Sequence, residues 1–225
     1  MIRTFPSYLS APECTKLIRD ATPHLQPAKV GIALATRKLD ESARNNTTCF
    51  LYPSQNETVR RIYDRISETI GVPVSHFEAM QIGHYEPGQY YKVHSDDRLE
   101  KPHNPRSHTF LMYLNEPEQG GATSFPRLNE TVVPETGKAV LFRPTRRKGF
   151  GFESVEALEH EAMPVERGEK WIATAWVHYY PYGAKKHHTF RWAWWTWLVA
   201  LLVAFLFAIA GFVYPKFREK WSSLV

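Results

Sequence analysis

The chain has 225 residues, enough for one well-packed domain and a smaller segment. Hydrophobic residues make up 43% of it and charged residues 23%, values near the globular average that argue against disorder. The net charge of +5 does not indicate a nucleic-acid partner, because residues 1–184 hold equal numbers of basic and acidic side chains. Two cysteines, Cys14 and Cys49, predict no disulfide framework and suit a reducing compartment.

Two amphipathic helices are predicted within the first 70 residues. The sequence SAPE (10–13) has the pattern of a capping box with a proline in the first turn, and apolar residues follow it on one helical face. The sequence SQNE (54–57) predicts a second capping box. It precedes a stretch in which apolar residues recur every three or four positions, which is typical of a helix with one buried face.

Beyond residue 76 the pattern changes to short apolar segments separated by turn residues, which predicts β-strands. The predicted strands are FEAMQIGHY (77–85), QYYKVHS (89–95), HTFLMYLN (108–115), TSFP (123–126), KAVLFR (138–143), LEHEAM (158–163) and KWIATAWVHY (170–179). Two helices followed by seven or eight short strands favour a mainly β fold with helical buttresses. The expected architecture is a jelly roll, or double-stranded β-helix.

A basic run lies between two of these strands, at Arg143, Arg146, Arg147 and Lys148. We interpret it as a solvated charged segment, with a lipid-binding or substrate-binding patch as the alternative.

The segment 192–214 is an uncharged apolar run with aromatic residues near both ends, and as a helix its 23 residues would reach about 34 Å. It predicts a single transmembrane helix, between a basic linker (185–191) and a short basic tail (215–225). The chain opens with no long apolar segment. We therefore expect a C-terminal membrane anchor, with residues 1–184 forming a catalytic domain in the cytosol.

A candidate metal site begins with His94 and Asp96. These residues are two apart in a predicted strand, so their side chains point to the same side and can converge on one ion. A third ligand has to come from another strand. Strand periodicity alone leaves three candidates open, namely His108, His160 and His178.

The residues around His160 favour it as the third ligand, with His178 as the substitute. Lys170 follows ten residues later, across a Pro-Gly turn, and an antiparallel return would bring it back to the same cavity. Two histidines and one carboxylate leave one face of Fe(II) open for a 2-oxo acid and O2. The lysine would then pair with the far carboxylate of the 2-oxo acid. A zinc hydrolase, the alternative for three protein ligands, gives this lysine no role.

Six segments carry a family resemblance over about residues 7–180. They are SYLSAPECTKLI, RNNTTCFL, YEPGQYYKVHSD, SHTFLMYLNEPEQGGATSFP, VVPETGKAVLF and HEAMPVERGEKWIATAWVHY. Their order and spacing resemble those of the iron(II)/2-oxoglutarate dioxygenases of the prolyl 4-hydroxylase α-subunit type.

The resemblance implies that His94, Asp96 and His160 bind iron and that Lys170 anchors 2-oxoglutarate. It also implies that Tyr85 and Thr109 help to hold this co-substrate, and that ascorbate supports turnover. The implied reaction splits O2, releases succinate and CO2, and hydroxylates a protein side chain, above all a prolyl residue. The implied partner is a proline-containing protein or peptide.

Three regions depart from the pattern of the collagen-type members. Asp97 and Arg98 follow the His-x-Asp pair where an aromatic residue is usual, and RPTRRKGFGFESVEALE (143–159) replaces the usual segment before the distal histidine. Glu161-Ala162 replaces the usual small pair after that histidine. All three regions are expected to border the substrate groove. They leave open hydroxylation of another residue or of a small molecule, and, outside the enzymes, a tail-anchored adaptor without turnover.

Overall fold

The computed structural model of the chain describes residues 1–29, 40–99, 104–183 and 201–202. The chain divides into two compact units, Met1–Tyr182 and Gly183–Val225. Residues 183, 201 and 202 are the described residues of the second unit. The predicted domain boundaries at residues 184, 191 and 214 stay predictions.

The first predicted helix is confirmed as α1 (Ala11–Ala21), and its N-terminus is the predicted capping box. The backbone N–H of Ser10 donates to the Glu13 carboxylate at 2.9 Å, and the Glu13 N–H donates to the Ser10 hydroxyl at 3.4 Å. Each residue therefore satisfies a backbone donor that the first turn of a helix leaves free.

The second helix, α2 (Glu57–Ile70), is also present, but the prediction that Ser54 caps it is wrong. Asn56 is the cap, and its side-chain oxygen accepts a hydrogen bond from the Val59 N–H at 3.1 Å. The amide nitrogen of the same side chain donates to Asp20 at 2.7 Å, near the end of α1. This contact between helices favours the Asn56 start, because one amide then satisfies partners on both elements.

The described residues form fifteen strands, most of them short. They are β1 (Arg3–Phe5), β2 (Gln26–Pro27), β3 (Thr47–Leu51), β4 (Met80–Tyr85), β5 (Tyr91–His94), β6 (Arg106–Tyr113), β7 (Gln119–Gly120), β8 (Thr123–Phe125), β9 (Glu130–Val132), β10 (Ala139–Phe142), β11 (Thr145–Lys148), β12 (Gly151–Ser154), β13 (His160–Ala162), β14 (Val165–Arg167) and β15 (Lys170–His178). All seven predicted strands are among them.

Seven strands form the larger sheet, in the order β1-β10-β6-β15-β4-β3-β2, with antiparallel neighbours. Strand β15 lies at its centre, and all nine of its residues are buried. Successive side chains alternate between the two faces of a strand. Those of β15 that pack with the helices are Trp171, Ala173, Ala175 and Val177. Those that line a cavity on the other face are Lys170, Ile172, Thr174 and Trp176.

One hydrophobic core lies between the larger sheet and the two helices. Leu17 of α1 and Ile62 and Ile66 of α2 are fully buried there, together with Ile82 and Phe110 of the sheet. Burial of each such side chain stabilises the fold by about 1.5–3 kcal/mol. The helices therefore act as the predicted buttresses on one face of this sheet.

The smaller sheet has four antiparallel strands in the order β5-β13-β8-β9. A second core joins it to the larger sheet, with Phe125 and Ala162 from the smaller sheet and Tyr113 and Phe142 from the larger. Two further pairs, β11 with β12 and β14 with β7, stand outside these sheets. The two sheets therefore enclose a space between them, at the level of β5, β13 and β15.

This mainly β architecture is consistent with a jelly roll, whereas the membrane-spanning part of the predicted fold class is wrong for the described residues. None of their helices is long and apolar enough to cross a bilayer. The longer one, α2, has 14 residues and reaches about 21 Å, against a hydrocarbon thickness of roughly 30 Å. The predicted span 192–214 lies outside the described residues except for Leu201 and Leu202, which are helical. The same finding corrects the predicted membrane anchor and membrane localisation.

The basic run before the distal histidine has exposed side chains throughout, as a solvated segment should, and three of its four residues belong to the hairpin of β11 and β12. Arg146 and Lys148 both pair with Glu153 on the opposite strand, at 2.6 and 2.5 Å. Arg147 lies on the other face of the hairpin, 5.5 Å from the ring centroid of Tyr179. The run is therefore a solvated charged segment that forms exposed ion pairs across the hairpin.

Candidate active site

The three predicted metal ligands meet at the smaller sheet. His94 is the last residue of β5, Asp96 follows it by two residues, and His160 is the first residue of β13. His94 and His160 stand opposite each other in the antiparallel ladder, with ring centroids 4.3 Å apart. One ligand atom from each of the three residues lies within 4.8 Å of the other two. The sheet register therefore forms a two-histidine, one-carboxylate group.

The hydrogen bonds of the two histidines engage Nδ1 of each ring and leave Nε2 available to bind a metal. His94 Nδ1 lies 2.8 Å from the Lys92 carbonyl, and His160 Nδ1 lies 3.1 Å from the Leu158 carbonyl. A carbonyl can only accept, so each Nδ1 carries the proton and each neutral ring keeps a lone pair on Nε2. Burial, together with the neighbouring His160, lowers the pKa of His94, which favours this neutral form. Such contacts orient histidine ligands in metal sites.

Asp96 is held by two side chains of β6. The Thr109 hydroxyl donates to Asp96 Oδ2 at 2.9 Å, and the Arg106 guanidinium lies 3.6 Å from Oδ1. Burial opposes ionisation of this carboxyl group. His160 and Arg106 outweigh the burial and lower the pKa of Asp96, so the group is a carboxylate at neutral pH. The charge and orientation of this ligand are therefore set before any ion binds.

A buried ionic chain extends from Arg106 away from the metal-binding group. Arg106 Nε donates to Glu78 at 2.7 Å, and the same carboxylate lies 2.9 Å from His178 Nε2. Burial raises the pKa of Glu78, but Arg106 and His178 outweigh it and hold the pKa well below its ordinary value. His178 Nδ1 is bound to the Asn104 carbonyl at 2.7 Å. Both nitrogens of His178, the substitute ligand, are therefore engaged elsewhere.

Lys170 lies on the larger sheet, at the other end of the same cavity. Its side chain is fully buried, and its Nζ has no hydrogen-bond partner among the residues that the structure describes. The aromatic rings of Tyr85 and Tyr113 lie beside it, with their centroids 5.3 and 5.8 Å from Nζ. Burial lowers the pKa of Lys170 to about 7. A buried ammonium without a partner is costly, so this group is suited to bind an anion.

The other two predicted co-substrate contacts take different places. Tyr85 is opposite Lys170 in the ladder and lines the cavity. Burial raises the pKa of its phenol against the opposing influence of Arg44, so the hydroxyl keeps its proton at neutral pH. Thr109 contacts the ligand Asp96 instead. The predicted roles of both in holding 2-oxoglutarate stay predictions.

Several cavity residues were not predicted from the sequence. Arg44 stacks on Tyr91 with its guanidinium carbon 4.5 Å from the ring centroid, and Tyr91 stacks in turn on His94. The guanidinium carbon of Arg106 lies over the Trp176 ring, 3.7 Å from its centroid. Arg44 and Tyr91 stand inside the segments RNNTTCFL and YEPGQYYKVHSD, which carry the resemblance, but no periodicity in the sequence separates them from their neighbours.

Comparison with known proteins agrees with this geometry. The profile of the 2OG-Fe(II) oxygenase superfamily matches residues 80–178, which include all three candidate ligands and Lys170. Probable prolyl 4-hydroxylase 10 from Arabidopsis thaliana is 32% identical over 199 residues, which cover 79% of this chain and 68% of the relative. The chain belongs to the prolyl 4-hydroxylase family of 2OG-Fe(II) oxygenases. The predicted family is confirmed.

Two further members of this group support the assignment. Probable prolyl 4-hydroxylase 3 from Arabidopsis thaliana is 30% identical over 197 residues, which cover 77% of this chain and 68% of the relative. The viral collagen prolyl hydroxylase vCPH from Paramecium Bursaria Chlorella virus-1, solved as a 2OG complex, superposes with a TM-score of 0.63 at 28% identity. The match covers 79% of this chain and 95% of the viral chain.

Membership of this family makes the chain a 2-oxoglutarate-dependent oxygenase, for which Fe(II) and 2-oxoglutarate are the cofactor and the co-substrate. The described residues fit both groups. Two imidazoles with free Nε2 atoms and one ionised carboxylate suit a divalent iron that keeps open coordination positions. A buried, unpaired ammonium in the same cavity suits a dicarboxylate.

Proposed function

We propose that this chain hydroxylates a prolyl residue of a polypeptide and converts 2-oxoglutarate and O2 into succinate and CO2. One observation carries the proposal: a single cavity has the His94, Asp96 and His160 group at one end and the unpaired Lys170 at the other. The prolyl substrate is inferred from relatives whose names describe prolyl 4-hydroxylases.

In this proposal the protein binds and orients, and the bound iron with 2-oxoglutarate supplies the oxygen chemistry. His94, Asp96 and His160 hold the iron through two Nε2 atoms and one carboxylate oxygen. Thr109 and Arg106 keep that carboxylate ionised and fixed. One oxygen atom of O2 enters the substrate C–H bond and the other enters succinate, so the atoms balance without a further reductant.

Lys170 binds the carboxylate of 2-oxoglutarate that lies far from the metal. The ammonium regains a partner in this way, and the ion pair is strong because the surrounding rings exclude water. In this proposal Tyr85, which is opposite Lys170 in the ladder, donates its hydroxyl proton to the same carboxylate. Ascorbate is proposed as a reductant that would support repeated turnover.

A turnover assay with the full chain tests the proposal. The protein is incubated with Fe(II), 2-oxoglutarate, ascorbate and short proline-containing peptides, and succinate and peptide mass are measured together. The expected product gains one oxygen atom on proline, in a one-to-one ratio to succinate. Matched peptides with alanine in place of proline should gain none.

Metal replacement separates this activity from other metal chemistry. Replacing Fe(II) with Zn(II) should abolish both products, because zinc has no redox chemistry. A peptide that is cleaved in the zinc-loaded protein, or oxygen insertion that is equal with and without proline, would contradict the proposed reaction.

A further inference from the structure

A large groove opens onto the metal-binding group. Its volume is about 1330 Å³, and its walls come from the end of α1, strands β2 and β3, the start of α2 and the segment after β5. His94 and Asp96 line both this groove and the cavity that holds Lys170. Pockets for small molecules have volumes of about 300–1,000 Å³. The groove is therefore large enough for a stretch of polypeptide that leads to the reacting centre.

Most ionic groups on the groove wall already have partners. Lys16 pairs with Asp20 on α1, and Arg61 pairs with Glu57 at 3.5 Å on α2. Arg106 and Asp96 belong to the buried ionic chain described above. Next to this chain, Asp97 and Arg98 balance each other in formal charge. These groups contribute no net charge to the groove.

Three cations on the wall form no ion pair with a carboxylate among the described residues, although Arg19 is near enough to Asp20 to help lower the pKa of that carboxyl group. Arg19 and Lys29 are exposed. Arg44 is buried at the inner end, where its guanidinium donates to the side-chain oxygens of Asn46 at 2.6 Å and Gln81 at 3.3 Å. Cations therefore line the groove from its outer wall to the cavity.

We propose that the polypeptide substrate carries acidic residues beside the hydroxylated residue, and that these side chains lie along Arg19, Lys29 and Arg44. This inference rests on the proposed function, because it places the target residue at the metal-binding group. Unpaired charges of one sign along a cleft attract an oppositely charged partner and fix its register more than they add affinity. The substrate class is thus a proline in an acidic segment.

Peptide binding tests the charge preference without turnover. Three fluorescent peptides share a central proline and differ in flanks of several Glu, Gln or Lys residues. Their affinities for the full chain are measured by fluorescence anisotropy at low and high salt. We expect the Glu peptide to bind about tenfold more tightly than the Gln peptide at low salt, and the advantage to shrink at high salt.

Charge-reversal variants test which residues cause the preference for the Glu peptide. The double variant Arg19→Glu, Lys29→Glu should lose it or favour the Lys peptide. The matched control is Arg3→Glu, Arg143→Glu, which reverses two exposed charges outside the groove and should keep it. Circular dichroism confirms that each variant is folded. Equal affinity for the three peptides, or a preference that survives the groove variant, overturns the inference.

The two hypotheses fail in different ways. If acidic peptides bind through the groove but no proline gains oxygen, the prolyl reaction is wrong and the acidic preference stands. If proline is hydroxylated at equal rates in all three peptides, the reaction stands and the acidic preference is wrong.

Discussion

The two ends of the active-site cavity differ in how far the fold satisfies their polar groups. At the metal end every ligand is held: carbonyl groups bind both histidines, and Thr109 and Arg106 bind Asp96. At the other end Lys170 Nζ has no hydrogen-bond partner within the described part of the chain. The polar groups at the metal-binding end are paired within the fold, whereas the ammonium group of Lys170 has no hydrogen-bond partner among the described residues.

This difference separates structural polar groups from functional ones. The buried chain of Glu78, Arg106 and His178 is internally paired, so its charges are compensated in the folded protein. Lys170 is equally buried and has no hydrogen-bond partner among the described residues, and burial lowers its pKa to about 7. A fold keeps such a group at the expense of stability, and its use is then in binding.

The largest expected effect comes from breaking the metal end. His160→Ala, like His94→Ala or Asp96→Ala, should abolish succinate formation, because it removes a proposed ligand of the redox centre. Metal content and succinate are measured side by side. His108→Ala is the matched control, since this histidine lies on β6 and binds Ser107. Full activity of the His160 variant would contradict its assignment as a ligand.

Replacing Lys170 with methionine should affect co-substrate binding next most strongly. A hydrogen bond to a charged group contributes about 1.5–3 kcal/mol, so Lys170→Met should raise the KM for 2-oxoglutarate roughly 10- to 150-fold. Iron binding should change little. Steady-state kinetics and metal titration measure the two effects. An unchanged KM would show that another residue anchors the co-substrate.

The same variant should stabilise the protein without ligands, by about 1–4 kcal/mol, because it removes an uncompensated buried charge. Lysine titrates near 10.5 when unfolded and near 7 when folded. The destabilisation by the buried lysine is therefore fully present below pH 7, and it is lost as the pH rises towards 10.5. Urea unfolding at pH 6.5 and 9.5 should show that Lys170→Met raises the free energy of unfolding more at the lower pH. A loss of stability at both would contradict the burial argument.

A variant of Thr109 tests whether this residue orients Asp96 or contacts 2-oxoglutarate. Thr109→Val keeps the shape of the side chain and removes its hydrogen bond to Asp96. Loss of a group that orients a metal ligand typically weakens metal binding 10- to 100-fold, and we expect about tenfold here. The KM for 2-oxoglutarate, measured at saturating iron, should stay within about twofold. The opposite result would support the predicted contact with the co-substrate.

The smallest expected effect concerns Gly121, which packs against the stem of Lys170. A Cβ at this position would lie 3.2 Å from Lys170 Cδ, and the residue has a φ of +71°. Gly121→Ala should therefore shift the ammonium and raise the KM for 2-oxoglutarate a few-fold. Gly71→Ala is the control, since Gly71 has a φ of +68° and nothing within 4 Å of its added Cβ. The two variants carry similar backbone strain of about 1–2 kcal/mol, so an equal KM in both would exclude a specific role for Gly121.

Features encoded by neighbouring residues were predictable from the sequence. The α1 cap depends on Ser10 and Glu13, three residues apart, and the first two ligands depend on the two-residue period of a strand. The pairing of His160 with Lys170 followed from a turn and a strand return, and the resemblance agreed with it. The transmembrane helix also came from a local pattern, and none of the described helices fits it.

Features that depend on distant residues were decided by the tertiary structure. Ser54 and Asn56 are both good caps, and the contact of Asn56 with Asp20, 36 residues away, favours the second. Arg106 meets Glu78 across 28 residues, and Glu78 meets His178 across 100. Which charges along the described part of the groove form ion pairs depends on such contacts too. Local periodicity carries no information about them, because they form only when the strands and helices pack.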